Sequence, residues 1–188
     1  MPETVDLSSY RNPPHHDKGR GIVVRSIWHI VNAVFLQNSI NPSSKLKITI
    51  MRMFGAKIGR NVVVKPGINV KHPWFLTVGD NSWIGENAWI DNTYAPIAIG
   101  PNVCISQGVY LCTGNHDWTD PAFGLIERSL TIEEGAWIGA QARVLPGASV
   151  ASHAVVAAGA VLSKSTEPYS IYVGNPASRT KTRSIKSR

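Results

Sequence analysis

The sequence predicts an all-β repeat fold, a parallel β-helix built from short stacked coils, with a helical segment on its N-terminal side. Three observations predict it. Ile132, Ile138, Val144, Val150, Val156 and Leu162 fall six residues apart, and Ala136, Ala142, Ala148, Ala154 and Ala160 keep the same beat. Fixed periodicity of this kind marks a stacked-repeat architecture. The beat also runs earlier with breaks, through Ile58, Val64, Val70 and Leu76, then Val78, Ile84 and Ile90, then Ile99, Ile105 and Leu111. Finally, Gly59, Gly79, Gly85, Gly100 and Gly139 directly follow aliphatic positions, where a missing Cβ lets the chain turn sharply.

A short strand alternates sides, so each aliphatic residue and the small residue two before it point the same way, inward. Three strands and three turns close a triangular coil, and successive coils stack as parallel strands about 4.8 Å apart. Only the stack buries a continuous core. A period of six does not hold one helical face, which excludes a helical reading.

The elements follow in order. Residues 1–18 lack periodicity and are expected to form an extended arm. Residues 20–54 read as two helices. The first is expected from Gly21 to Gln37, with Arg25, His29 and Asn32 on one face. The second has Asn41 as a cap, Pro42 at its first position and Gly55 just past its end. The division expected is an N-terminal arm and two helices over 1–56, the β-helix over 57–170, and a basic tail over 171–188. The stretch from Cys112 to Thr131 replaces what the repeat would fill with five residues, so a loop at 112–131 interrupts the coil.

The 188 residues suit one domain with a real core. The net charge is +7, and residues 179–188 hold three Arg and two Lys with no acid. Such a tail suits a phosphate-bearing small molecule or an anionic surface, or else is a solvated terminus. It lacks the interleaved aromatics of a nucleic-acid site. Met1–Lys18 has no apolar leader-like run, and only Cys104 and Cys112 occur, so a cytoplasmic, thiol-reduced protein is expected. The apolar run 22–36 is too short to span a bilayer. It permits peripheral association at the inner face of a membrane, and packing over the open end of the coil explains it equally.

The interruption is the first candidate site, because an excursion from a strict repeat is more often functional than structural. It carries one histidine, His116, whose imidazole titrates in the range a general base needs. Asp117 is adjacent, and adjacent side chains point apart. Asp91 and Asn92 mark the second register break, either as polar contacts or as a turn pair. Trp83, Trp89 and Trp137 each precede an inward aliphatic residue and face outward, lining either a cleft or a subunit interface. His15 and His16 are adjacent in the arm, and His72 and His153 are expected on coil exteriors. No metal-ligand set stands out.

The segments VGDNSWIGENAWID, IGPNVCISQGVYLCTGNHD and EEGAWIGAQARVLPGASVASHAVVAAGAVLSKS with YVGNPASR resemble the hexapeptide-repeat acyltransferases. Within them the likeness is to the branch that O-acetylates sugars of colanic acid and related exopolysaccharides. The resemblance implies a left-handed coil, contrary to the usual crossover rule. It also implies a homotrimer with sites between subunits, a sugar or glycan acceptor, and acetyl-CoA as acyl donor without a metal. His116 would be the base of a direct transfer. Asp91, Asn92, Trp89 and Asp117 would contact the acceptor. Trp137, Gly139, Ala140, Ala158, Ser163, Lys164, Arg179 and Lys181 would hold coenzyme A, with a backbone N–H near Gly139–Ala140 facing the developing oxyanion. The basic residue expected two places after Pro176 is Ser178, and Arg179 follows it. Two other readings stand beside this one. A non-catalytic β-helix scaffold would need neither the base nor the basic stretch. A γ-carbonic anhydrase-like metalloenzyme would need three converging histidines, and His116 has none within twenty residues.

Overall fold

The computed structural model describes residues 4–13 and 16–186. Helix α1 (Ile22–Val31) continues into a π-helical turn over Asn32–Leu36, and α2 is Ser44–Met53. The cap of α2 is Ser43, whose hydroxyl accepts from the Leu46 N–H at 3.2 Å. Asn41, the expected cap, instead shapes the connection by bonding the Phe35 carbonyl and the Ser43 N–H.

Five coils follow. The first holds β1 (Lys57–Ile58), β2 (Val63–Val64) and β3 (Asn69–Val70), and the second holds β4 (Leu76–Val78), β5 (Trp83–Ile84) and β6 (Trp89–Asp91). The third holds β7 (Ile97–Ile99), β8 (Cys104–Ile105) and β9 (Tyr110–Cys112). A hairpin of β10 (Gly114–His116) and β11 (Leu125–Glu127) then leaves the stack. The fourth coil is β12 (Leu130–Ile132), β13 (Trp137–Ile138) and β14 (Arg143–Val144), and the fifth is β15 (Ser149–Val150), β16 (Val155–Val156) and β17 (Val161–Leu162). Corresponding strands pair in parallel, giving a first face β1-β4-β7-β12-β15, a second face β2-β5-β8-β13-β16 and a third face β3-β6-β9-β14-β17. This arrangement fits the β-helix expected from the repeat.

The six-residue beat is the core. Ile84, Ile90, Leu111, Ile138, Val144, Val150, Val156 and Leu162 are all fully buried, with Ala142, Ala154 and Ala160 filling the narrower positions. The turns are made differently from expectation. Asn61, Asn81, Asn87 and Asn102 adopt φ of 54–59°, a left-handed conformation that Asn tolerates. Glycine after the aliphatic residue answers to close stacking instead. A Cβ on Gly139 would lie 2.5 Å from the Ala158 nitrogen in the next coil.

The helices cover the open end of the first coil, strand by strand. Arg52 donates to the Ile58 and Gly59 carbonyls, the Ser44 hydroxyl bonds both backbone atoms of Val64, and Trp28 and Asn32 bond the Val70 carbonyl and N–H. One or more backbone groups of each strand at that edge thus gain a partner from the helices. The outer row of α1 stays uncovered, with Val23 68%, Ile27 48% and Ile30 64% exposed. Among the described residues no helix is long and apolar enough to cross a membrane.

The expected tail is corrected at the other end. Residues 170–182 form β18 (Ser170–Val173) and β19 (Ser178–Thr182), which extend the second face, β19 running antiparallel. Ile171 and the aromatic Tyr172 continue the register of β16, so the chain adds edge strands before its basic residues run out.

Candidate active site

The hairpin leaves the stack at the edge between the third and first faces, after β9 and before β12. His116 ends its first strand. The imidazole stacks on Phe123 with ring centroids 4.4 Å apart and planes at 12°, and Nδ1 lies 2.8 Å from the Phe123 carbonyl oxygen. A carbonyl only accepts, so in the neutral ring Nδ1 carries the proton and Nε2 keeps its lone pair. Ring orientation and tautomer are therefore fixed by backbone. A cavity of about 300 Å3 opens beside it, lined by Asn115, His116, Trp118, Arg128 and Pro146 among others.

The N-terminal arm, read from sequence only as extended, grips this hairpin. The Asp6 N–H donates to the Pro121 carbonyl at 2.8 Å, and the Tyr10 ring lies 6.0 Å from that of His116. His16 bonds the Glu127 carboxylate and packs against Tyr94. His15 lies outside the described residues. Among those described, no group of three His, Cys, Asp or Glu side chains converges as metal ligands do.

Asp117 does not reach His116's Nδ1. Its carboxylate accepts from the hydroxyl and N–H of Thr119, the hydroxyl first among the causes that hold it below the ordinary carboxylate range. Asn92 is corrected as an acceptor contact. It is fully buried, and its amide bonds both the N–H and the carbonyl of His72, tying two coils together. Asp91 differs. It is half-buried at a cavity edge, with its oxygens accepting from the Thr93 and Tyr110 hydroxyls. Trp89 packs against Tyr110 on the third face, the rings tilted by 53° with centroids 5.0 Å apart.

The three outward tryptophans do not share a cleft. Trp83 and Trp137 both pair with Cys104 on the second face, whereas Trp89 stands on the third. Burial raises the Cys104 thiol pKa, which keeps it protonated and a poor nucleophile.

Five of the residues expected at coenzyme A meet in one place. Trp137, Gly139, Ala140, Ala158 and Lys181 line a cavity of about 610 Å3 on the second face and its edge with the third. The Gly139 N–H bonds the Val156 carbonyl at 2.7 Å. Gly139 is thereby corrected as an oxyanion donor, and the Ala140 N–H is the one of the pair without an acceptor among the described residues. Ser163 and Lys164 lie beyond β17, outside this cavity, and Arg179 pairs with Glu167 at 3.5 Å. Arg183, in the cavity wall, donates to the Gly135 and His153 carbonyls. The whole third face separates the His116 edge from this cavity within one chain.

Comparison with known proteins bears on this geometry. The family description "Bacterial transferase hexapeptide (six repeats)" matches residues 129–164, and "Hexapeptide repeat of succinyl-transferase" matches 76–112. The chain is 35% identical over 172 residues to the "Putative colanic acid biosynthesis acetyltransferase WcaF" of Escherichia coli K12, covering 92% of this chain and 93% of that one. The chain belongs to the hexapeptide-repeat acetyltransferases. The galactoside O-acetyltransferase of E. coli K12 is 27% identical over 74% of this chain and 70% of its own length. The acetyl-coenzyme A complex of the hexapeptide-repeat acetyltransferase VCA0836 of Vibrio cholerae superposes with a TM-score of 0.79 at 21% identity, covering 91% of this chain and 94% of that one.

In this hexapeptide-repeat acetyltransferase several contributors to the site carried no sequence signal. Phe123 sits in an irregular loop at φ of 54°, and its carbonyl could not be paired with His116 before the turn was known. Tyr10 lies more than a hundred residues from the histidine it approaches. His72, expected outside, is only 8% exposed and stacks on Trp74 at 4.7 Å. The corner Pro73–Phe75 folds back over it.

Proposed function

We propose that the protein is an acetyl-CoA-dependent O-acetyltransferase acting on a sugar hydroxyl in exopolysaccharide or glycan biosynthesis, with His116 as general base. The observation that carries the reading is the His116–Phe123 pair in a chain of this family. An alcohol is a weak nucleophile near neutral pH, and a fixed imidazole with a free Nε2 can take its proton as the oxygen attacks the thioester carbonyl. Negative charge then gathers on the thioester oxygen, where the Ala140 N–H is the donor suited to meet it. The coenzyme leaves as thiolate and recovers the proton from the imidazolium.

The 610 Å3 cavity suits the pantetheine arm, with Trp137 as its apolar wall and Lys181 near a phosphate. Trp137 is held in place by donating its indole N–H to the Ser106 hydroxyl at 2.9 Å. We read the coil as closed and left-handed, in keeping with its structural neighbours. Because a full face separates His116 from this cavity in one chain, a second copy must bring the two together, which supports a homotrimer with shared sites. A cytoplasmic enzyme resting peripherally on a membrane through the outer row of α1 is consistent with this reading.

The test is acceptor-dependent release of coenzyme A thiol from acetyl-CoA across a panel of sugars. His116→Ala should bind acetyl-CoA as the wild type does while losing roughly 10²–10⁴-fold in turnover, the usual worth of a general base. Full turnover in that variant would remove the assignment.

A further inference from the structure

Helix α1 buries Trp28 and packs Val31 against the core. Its row Val23, Ile27 and Ile30 faces solvent, whereas half-buried Arg25 and buried Asn32 lie beside Trp28 on the coil side, with His29 exposed at the rim. Between these polar residues and the edge of the first two coils lies a cavity of about 430 Å3. Arg25 lines it. Among the described residues its buried Nε–H has no hydrogen-bond partner, and the buried Nδ1 of His72 has none either. Buried polar groups left this way cost stability unless something binds them.

The charges in the cavity are arranged for an anion. Arg25 makes no ion pair among the described residues. The Lys71 ammonium stands 5.6 Å from the centroid of the Trp89 ring. The single carboxylate, Asp91, directs its oxygens to the Thr93 and Tyr110 hydroxyls at 2.7 and 3.1 Å and is salt-bridged to neither cation. His72 adds no positive charge near neutral pH. Burial first, then the Arg25 and Lys18 charges, lower its pKa to about 4. It offers a hydrogen-bonding nitrogen instead.

Position links the cavity to the chemistry. Tyr94, in its wall, packs so closely over Gly114 that a Cβ there would fall 2.2 Å from the ring. Gly114 begins the strand that ends at His116. The cavity and the hairpin therefore share one edge of the coil and one side chain.

We propose that this cavity is an anionic subsite for the acceptor, in which Arg25 and Lys71 pair with a phosphate or carboxylate carried by the sugar and Trp89 packs against the sugar ring. The guanidinium fork matches either oxyanion, and the ammonium supplies a second point charge. His72 Nδ1 is placed for a neighbouring hydroxyl. The proposal rests on the acetyltransferase reading and narrows its substrate to glycans bearing a phosphate or an acidic sugar. It also gives the buried Arg25 Nε–H beside Trp28 a partner.

The test uses the full chain already saturated with coenzyme A, so that the cationic groups of the coenzyme cavity are occupied before any anion is added. Inorganic phosphate, glucose 1-phosphate, glucuronic acid and methyl glucoside are then titrated calorimetrically. Phosphate and at least one of the two acidic sugars should bind saturably, and methyl glucoside at least tenfold more weakly. Which acidic sugar binds distinguishes phosphate from carboxylate as the source of charge. Arg25→Gln and Lys71→Gln should each weaken the anions tenfold or more with coenzyme A affinity unchanged. Coenzyme A binding without any saturable anion binding overturns the subsite, as does anion binding unaltered in both variants. Failure of coenzyme A to bind overturns the acetyl-transfer reading instead, and the anions are then titrated into the free chain, where the two variants still decide the subsite.

Discussion

The imidazole of His116 lies flat on the ring of Phe123 while its Nδ1 bonds the carbonyl oxygen of the same residue. One residue thus sets both the plane and the tautomer of the proposed base. Phe123 does so at φ of 54°, where a side chain costs on the order of 1–2 kcal/mol. Phe123→Gly should therefore hold or raise the melting temperature while lowering kcat about tenfold, with KM for acetyl-CoA unchanged. Phe123→Tyr should restore kcat. Steady-state kinetics beside thermal unfolding checks it, and equal kcat in all three proteins would remove the positioning role.

The arm is the second support of the hairpin, through Asp6 to Pro121, Tyr10 beside His116, and His16 to Glu127. Removing residues 1–18 should speed amide hydrogen exchange across 114–127 and lower kcat, while acetyl-CoA affinity holds. An equally protected hairpin in the truncated protein would show that the arm merely rests there.

Close stacking at Gly139 makes a stability prediction. A Cβ 2.5 Å from the Ala158 backbone nitrogen cannot be relieved by a side-chain rotation. Gly139→Val should cost about 2–4 kcal/mol in a denaturant titration, in the range of severe overpacking. A loss under about 0.5 kcal/mol would mean that the coils can part at this corner.

His72 supplies a pH dependence. Its folded pKa of about 4 lies below the ordinary imidazole value because burial, Arg25 and Lys18 oppose the charge and only Asp91 and a Thr93 backbone bond favour it. The unfolded chain therefore binds its proton first. Stability falls as pH drops from about 6.5 towards 4 and levels off below, by up to about 3 kcal/mol from this group. His72→Asn should flatten that part of the stability profile measured by chemical unfolding between pH 7.5 and 4. An unchanged slope would show that His72 takes its proton in the folded state.

The coil was legible in the sequence because its core repeats. Each of Ile138, Val144 and Val150 meets the same environment, so one rule places them all. His116 was legible because it stands alone in the interruption. The partners of that histidine were not, since Phe123 and Tyr10 reach it through an irregular turn and an aperiodic arm. Asn92 shows the opposite failure. A polar pair at a register break reads as a site, yet its amide serves the His72 backbone of the coil below. Arg25, His29 and Asn32 were read correctly as one helical face, but only the fold shows that this face lines a cavity, with Asn32 buried and His29 at its exposed rim.

The most direct test of the central claim is a calorimetric titration of acetyl-CoA into the wild type and into Trp137→Ala and Lys181→Ala variants. The account predicts saturable binding near one per chain in the wild type, weakened in both variants, whose side chains line the second-face cavity. Absence of saturable heat at millimolar acetyl-CoA, or undiminished affinity in both variants, would contradict it.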